Sequence, residues 1–222
     1  MLQNATLNFL GELATHNTRD WFDAHRTDYD AARKDFEGFV EAMRVALLPT
    51  VPGLEGQRAK DLTFRLFRDV RFSKDKRPYK SNFAAYFSRA GRKAPDAGYY
   101  GHIEPGQCRL AAGLWMPEGP LLKAVRQEID YNLDEFRGIV ENKKYTKIFS
   151  ELGGETLKTP PQGYSADHPG IVYLKRKSFI SSAPIADEIL LSKDAVKKCM
   201  AIFNEGKPLV DFMNRALDGI AE

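Results

Sequence analysis

The stretch that most constrains the fold is Thr63 to Ser88, TFRLFRDVRFSKDKRPYKSNFAAYFS. From Phe64 to Phe72 the residues alternate with the period of two expected of a half-buried strand. One face carries Phe64, Leu66, Arg68, Val70 and Phe72, and should look into a core. The other carries Arg65, Phe67, Asp69 and Arg71. Arg68 lies on the apolar face, so it requires a carboxylate or carbonyls, because an unpaired buried charge costs several kcal/mol. A charged loop follows, stiffened by Pro78, which fixes its own φ and biases Arg77 towards extended geometry. The next strand, Asn82 to Ser88, should pair antiparallel with the first.

The same stretch concentrates charge. Arg58 to Lys93 holds twelve Lys and Arg against three Asp, while the whole chain of 222 residues is only +3. The remainder is therefore net acidic. Such asymmetry points to an acidic partner: a phosphate, a carboxylate, nucleic acid or another protein. For Lys74, Lys76, Arg77, Arg92 and Lys93 the favoured reading is plainer, a solvated basic hairpin edge that blocks edge-to-edge pairing. Arg65 and Arg71, interleaved with aromatics, are the candidate anion ligands.

Helices are expected at both ends of the chain. Thr6 should cap a short helix through Thr15, and Asn17 or Thr18 another turn bearing Trp21 and Phe22. A long helix from about Thr27 to Leu48 buries Tyr29, Ala32, Phe36, Phe39, Val40, Met43 and Leu47. A helix from Ser192 to about Asn204 should break at Gly206 and Pro208 and resume over Leu209 to Leu217. Arg19, Asp20, Trp21 and His25 could line a pocket, but a capped helix start with aromatic anchors is favoured. Lys175-Arg176-Lys177 is a second, smaller basic cluster, and Ile180 to Ile185 looks extended.

After the basic hairpin come two more strands, Tyr99 to Glu104 and Cys108 to Trp115, around Glu104-Pro105-Gly106-Gln107, which suits a type II turn. Alternation puts Tyr100, His102 and Glu104 on one face. His102 with Glu104 is the best acid/base pair in the chain, and the two are the candidate catalytic residues, although a His simply hydrogen-bonded on a solvent-exposed sheet face is the favoured reading. No third ligand at useful spacing accompanies them, so no metal is expected. Phosphate-loop, dinucleotide, zincin, serine-hydrolase and CxxC motifs do not occur, and no cofactor is expected. No apolar run is long enough to cross a membrane, and the N-terminus does not read as a secretory signal. Cys108 and Cys199 fall in apolar patterns and read as buried thiols. A soluble, cytoplasmic protein without a membrane partner is expected; the oligomeric state is left open.

The block Arg68-Asp-Val-Arg-Phe-Ser-Lys-Asp-Lys-Arg-Pro-Tyr-Lys80, with Asn82-Phe83, resembles the Domain of Unknown Function 2461 family of bacteria and fungi. The resemblance extends to Trp21-Phe22, Tyr100 with His102-Ile-Glu-Pro-Gly106, Gly113 with Trp115 and Pro117, and Lys175-Arg-Lys-Ser-Phe179. It implies a single soluble domain and carries no catalytic assignment.

The expected architecture is one α+β domain over residues 1–222, with a largely antiparallel sheet of at least four strands and helices from both chain ends. Helices should cover the face of Phe64, Leu66, Val70 and Phe72. On the other face Arg65, Arg71, Lys80, Tyr86 and Tyr100 would bind a phosphate- or carboxylate-bearing small molecule, with His102 and Glu104 moving a proton if there is chemistry. Two alternatives stand beside this: nucleic-acid binding by the basic hairpin, and a protein-interaction module for an acidic partner.

Overall fold

The computed structural model describes residues 1–219. In chain order its helices are α1 (Asn4–Thr15), α2 (Arg19–Ala24), α3 (Arg26–Leu47), α4 (Ala59–Leu62), α5 (Gly119–Tyr131), α6 (Leu133–Val140), α7 (Lys143–Ile148), α8 (Ile171–Leu174), α9 (Asp187–Leu191) and α10 (Ala195–Asp218). The strands are β1 (Phe83–Phe87), β2 (Gly98–Ile103), β3 (Arg109–Leu114) and β4 (Phe179–Pro184). They form one open antiparallel sheet in the order β1-β2-β3-β4. The α+β class is as expected, and the extended run after Phe179 supplies the fourth strand.

Two compact units are distinguishable. The first comprises Met1–Lys93, Tyr100–Leu110 and Pro184–Ala201; the second comprises Ala94–Tyr99, Ala111–Ala183 and the described part of Ile202–Glu222.

In the first unit α3 buries Tyr29, Ala32, Phe36, Phe39, Val40, Met43 and Leu47, the stripe its spacing predicts. Phe36 stacks on Phe83 of β1, with ring centroids 5.2 Å apart. Thr18 caps α2 by accepting from the Trp21 N–H at 3.3 Å. Thr6 is not a cap, because α1 already begins at Asn4; its hydroxyl donates instead to Asp35 of α3 at 2.6 Å.

The segment Phe64 to Phe72 departs from the expected regular strand. It is an irregular antiparallel ribbon held by isolated bridges, Thr63 to Ala85 and Phe67 to Tyr79, and by hydrogen bonds such as Lys80 N–H to the Leu66 carbonyl at 2.9 Å. Leu66 is buried as predicted, but Phe72 is 96% exposed rather than part of a core. The cause is local: the chain turns after Val70, where the Ser73 N–H reaches the Val70 carbonyl, and alternation ends there. Helical cover is also placed differently. Phe22 of α2 stacks on Tyr79 at 4.2 Å and meets Phe67 edge-on at 5.7 Å.

In the second unit Phe203 of α10 packs on Tyr99, and Phe212 on Phe136. Helix α10 runs unbroken through Gly206 and Pro208, contrary to the expected interruption. Gly206 is buried, and a Cβ there would lie 2.4 Å from Ala112 Cβ, so glycine lets the helix lie close against β3. Pro208 is exposed, as is Asn204, whose carbonyl loses its helical donor and can turn to water.

Candidate functional site

The turn expected at Glu104–Gln107 forms, closed by the Gln107 N–H to the Glu104 carbonyl at 2.8 Å, with Gly106 at φ 72° as a type II turn demands. Counting outward from this turn sets His102 of β2 opposite Arg109 of β3. The Tyr100, His102 and Glu104 side chains then join in a line. Tyr100 Oη is 3.1 Å from His102 Nδ1, and His102 Nε2 is 2.9 Å from Glu104 Oε2. Arg109 Nη2 lies 3.2 Å from His102 Nδ1, and the Ser81 hydroxyl donates to Glu104 Oε1 at 2.5 Å.

These partners define the imidazole. Glu104 accepts, so Nε2 carries the hydrogen; Tyr100 and Arg109 both donate to Nδ1, which is then the bare nitrogen. His102 is 5% exposed. Burial lowers the His102 pKa, and Arg109 and Lys80 add to this against the raising influence of Glu104. Burial works to raise Glu104, but its bonds from Ser81 and His102 prevail and hold it below the usual carboxylate range. Burial likewise pushes the Tyr100 phenol up, so it stays a donor.

Beside this line sits a cluster of cations. Phe64 meets Tyr100 edge-on at 6.0 Å, and the same ring carries Lys80 Nζ at 5.6 Å and the Arg92 guanidinium at 4.9 Å. Burial lowers the Lys80 pKa, and the neighbouring charges of Arg65, Arg92 and Arg68 lower it further. Lys80 is half-buried and Arg65 exposed. Neither makes an ion pair among the described residues. Arg92 donates to the Asp61 carbonyl at 3.2 Å, while the Asp61 carboxylate is taken by Arg58.

Arg71, the expected second clamp, is not brought to this place. Asp69, two residues back on the same side of the ribbon, captures it at 2.7 Å, and its side chain is 76% exposed. Tyr86 is half-buried on β1, on the opposite side of that strand from Phe83. Arg68 finds the carboxylate its position demanded, Asp75 at 2.5 Å. Arg77 joins the same carboxylate, and these bonds hold Asp75 far below the usual range. Lys76 donates to the Val70 carbonyl. Lys76 and Arg77 therefore brace the loop itself.

Elsewhere, Trp21 and His25 stack at 4.1 Å and line a groove of about 310 Å³ with Phe9, Glu12 and Asp28. Arg19 and Asp20 are not among its lining residues. Lys175, Arg176 and Lys177 bind the Lys158 carbonyl, the Leu152 carbonyl and Glu155 within the second unit. Both cysteines are buried thiols, their pKa values pushed by burial up to about 12. No group of His, Cys, Asp and Glu able to hold a metal occurs among the described residues. None of their helices is long and apolar enough to cross a membrane.

Sequence reasoning missed Arg109, Ser81 and Asn17. The first was recoverable from the turn register. Asn17 binds the Tyr79 backbone twice, donating to its carbonyl and accepting from its N–H, each at 3.1 Å. A contact spanning 62 residues leaves no local signal.

A family profile described as "Conserved hypothetical protein (DUF2461)" matches residues 5–212 of the chain. No curated protein and no solved structure matches it.

Proposed function

We propose that this chain, which belongs to the conserved hypothetical family DUF2461, binds a small molecule bearing a phosphate or carboxylate beside the Tyr100–His102–Glu104 line, with His102 and Glu104 as its proton-moving pair. The observation that carries this reading is the gathering of Lys80 with Arg65 and Arg92, none of them ion-paired among the described residues, next to a buried neutral imidazole. Like charges held together cost free energy, and an arriving anion offsets that cost. Arg65 and Arg92 are the anion ligands, Arg92 replacing Arg71 in that role. Tyr100 orients the molecule. A bare His102 Nδ1, once its Tyr100 or Arg109 donor swings to the ligand, accepts a proton, and Glu104 steadies the imidazolium.

Titration calorimetry with inorganic phosphate and with lactate tests this. Arg65→Gln and Arg92→Gln should each weaken binding at least about tenfold, the loss expected for a charge-assisted hydrogen bond. Unchanged affinity in both variants, or no binding of either anion to the parent chain, rejects the reading.

A second reading rests on Phe72, fully exposed beside Arg71 at 5.8 Å in the basic ribbon. Such a tip suits stacking on a single-stranded base with phosphates held alongside. It predicts oligonucleotide binding that falls steeply with salt and is lost in Phe72→Ala.

A further inference from the structure

Lys80 stands apart from the other cations of the ribbon. Its backbone is fixed: the N–H binds the Leu66 carbonyl, and the preceding Tyr79 is pinned by Asn17 and stacked on Phe22. Its ammonium is half-buried over Phe64 and has no hydrogen bond or ion pair among the described residues. Arginine would serve a site that needed only permanent positive charge. A lysine there is the one cation that can shed its proton and become a nucleophile. Tyr100 touches the same ring, and Lys80 is near enough to His102 to act on its protonation.

We propose that Lys80 is an imine-forming amine and that the site takes a small oxo acid, a carboxylate carrying an aldehyde or ketone carbon. The inference rests on the anion-binding reading above. The carboxylate meets Arg65 and Arg92, which sets the carbonyl carbon within the cluster. The neutral amine nitrogen attacks that carbon to form a carbinolamine. The carbon–oxygen bond then breaks, the oxygen leaves as water with the two protons lost by nitrogen, and a carbon–nitrogen double bond remains. Tyr100 and His102 are the proton carriers for the departing hydroxyl. The depressed lysine pKa, caused first by burial and then by Arg65, Arg92 and Arg68, enlarges the fraction of neutral amine at neutral pH.

The test uses the full chain with pyruvate as probe and cyanoborohydride as trap, which adds hydride to the imine carbon and leaves a stable secondary amine. Peptide mass mapping should place the adduct on Lys80 at least about tenfold faster than on exposed Lys74 or Lys76, because Arg65 and Arg92 hold the probe's carboxylate beside that amine. Lys80→Arg should abolish the fast adduct, and acetone, which lacks a carboxylate, should show a much smaller preference for Lys80. Labelling at one rate across all lysines overturns the proposal, and that result needs no variant to fold. Lactate binding by calorimetry separates the two levels. If lactate binds and Arg92→Gln weakens it while Lys80 stays unlabelled, or if phosphate alone binds, only the oxo-acid imine fails; if neither lactate nor phosphate binds, both readings fail.

Discussion

A neutral imidazole held between a phenol, a guanidinium and a carboxylate has a measurable signature. The folded His102 pKa lies below the ordinary value of about 6.5, so at mildly acidic pH the unfolded chain binds more protons than the folded one. Stability from this residue is complete above about pH 6.5 and is lost as pH falls through the depressed folded value. Urea midpoints across this range should rise with pH in the parent chain and flatten in His102→Gln. Asn17 makes a second residue-scale prediction. Asn17→Ala leaves the Tyr79 backbone with two unmet partners and should cost about 1–3 kcal/mol in urea unfolding. His102, Glu104 and Tyr100 were legible in the sequence because a strand period of two lines them up. Arg71 was misread because the alternation that displayed it to a ligand displayed Asp69 beside it equally well.

Two close approaches decide the packing of whole elements. Gly113 of β3 has φ 126°, and a Cβ there would lie 2.0 Å from the Phe179 carbonyl oxygen of β4. Gly113→Ala should therefore destabilise by more than about 3 kcal/mol, combining backbone strain with a clash against rigid main chain. Gly206→Ala meets a side-chain methyl instead and should cost about 1–3 kcal/mol, the usual range for overpacking. Thermal unfolding of the two variants ranks them. Helix α10 shows why element boundaries were only partly readable. Gly206 and Pro208 are breakers in isolation, yet glycine is required by the neighbouring strand and proline is tolerated on the wet side of the helix. The ribbon erred in the other direction: its alternation is real as far as Val70, but nothing in a periodic pattern reports that two bridges will stand in for a ladder.

Over the whole molecule, the fold class and the tally of positive charge were readable because both are sums over many residues. Which charges are free was not readable, since that depends on pairings such as Arg68 with Asp75 and Arg58 with Asp61. Arg68, Arg71, Lys76 and Arg77 brace the ribbon and its loop, while Arg65, Lys80 and Arg92 form the cluster on which the proposed site rests. Phosphate should accordingly raise the melting temperature of the parent chain, and the gain should shrink as sodium chloride is raised from low to physiological ionic strength and beyond, because exposed Arg65 is screened. Lys80→Met, which removes one charge of the cluster, should reduce the gain and raise the starting stability slightly.

The crowding of Lys80 by guanidinium groups also bears on how the protein is handled. On the proposed reading, phosphate, citrate or acetate in the buffer should occupy this corner and compete with any added anion. Preparations exchanged into chloride with a zwitterionic buffer should accept new anions readily, whereas those carried through phosphate should answer the same screen with silence.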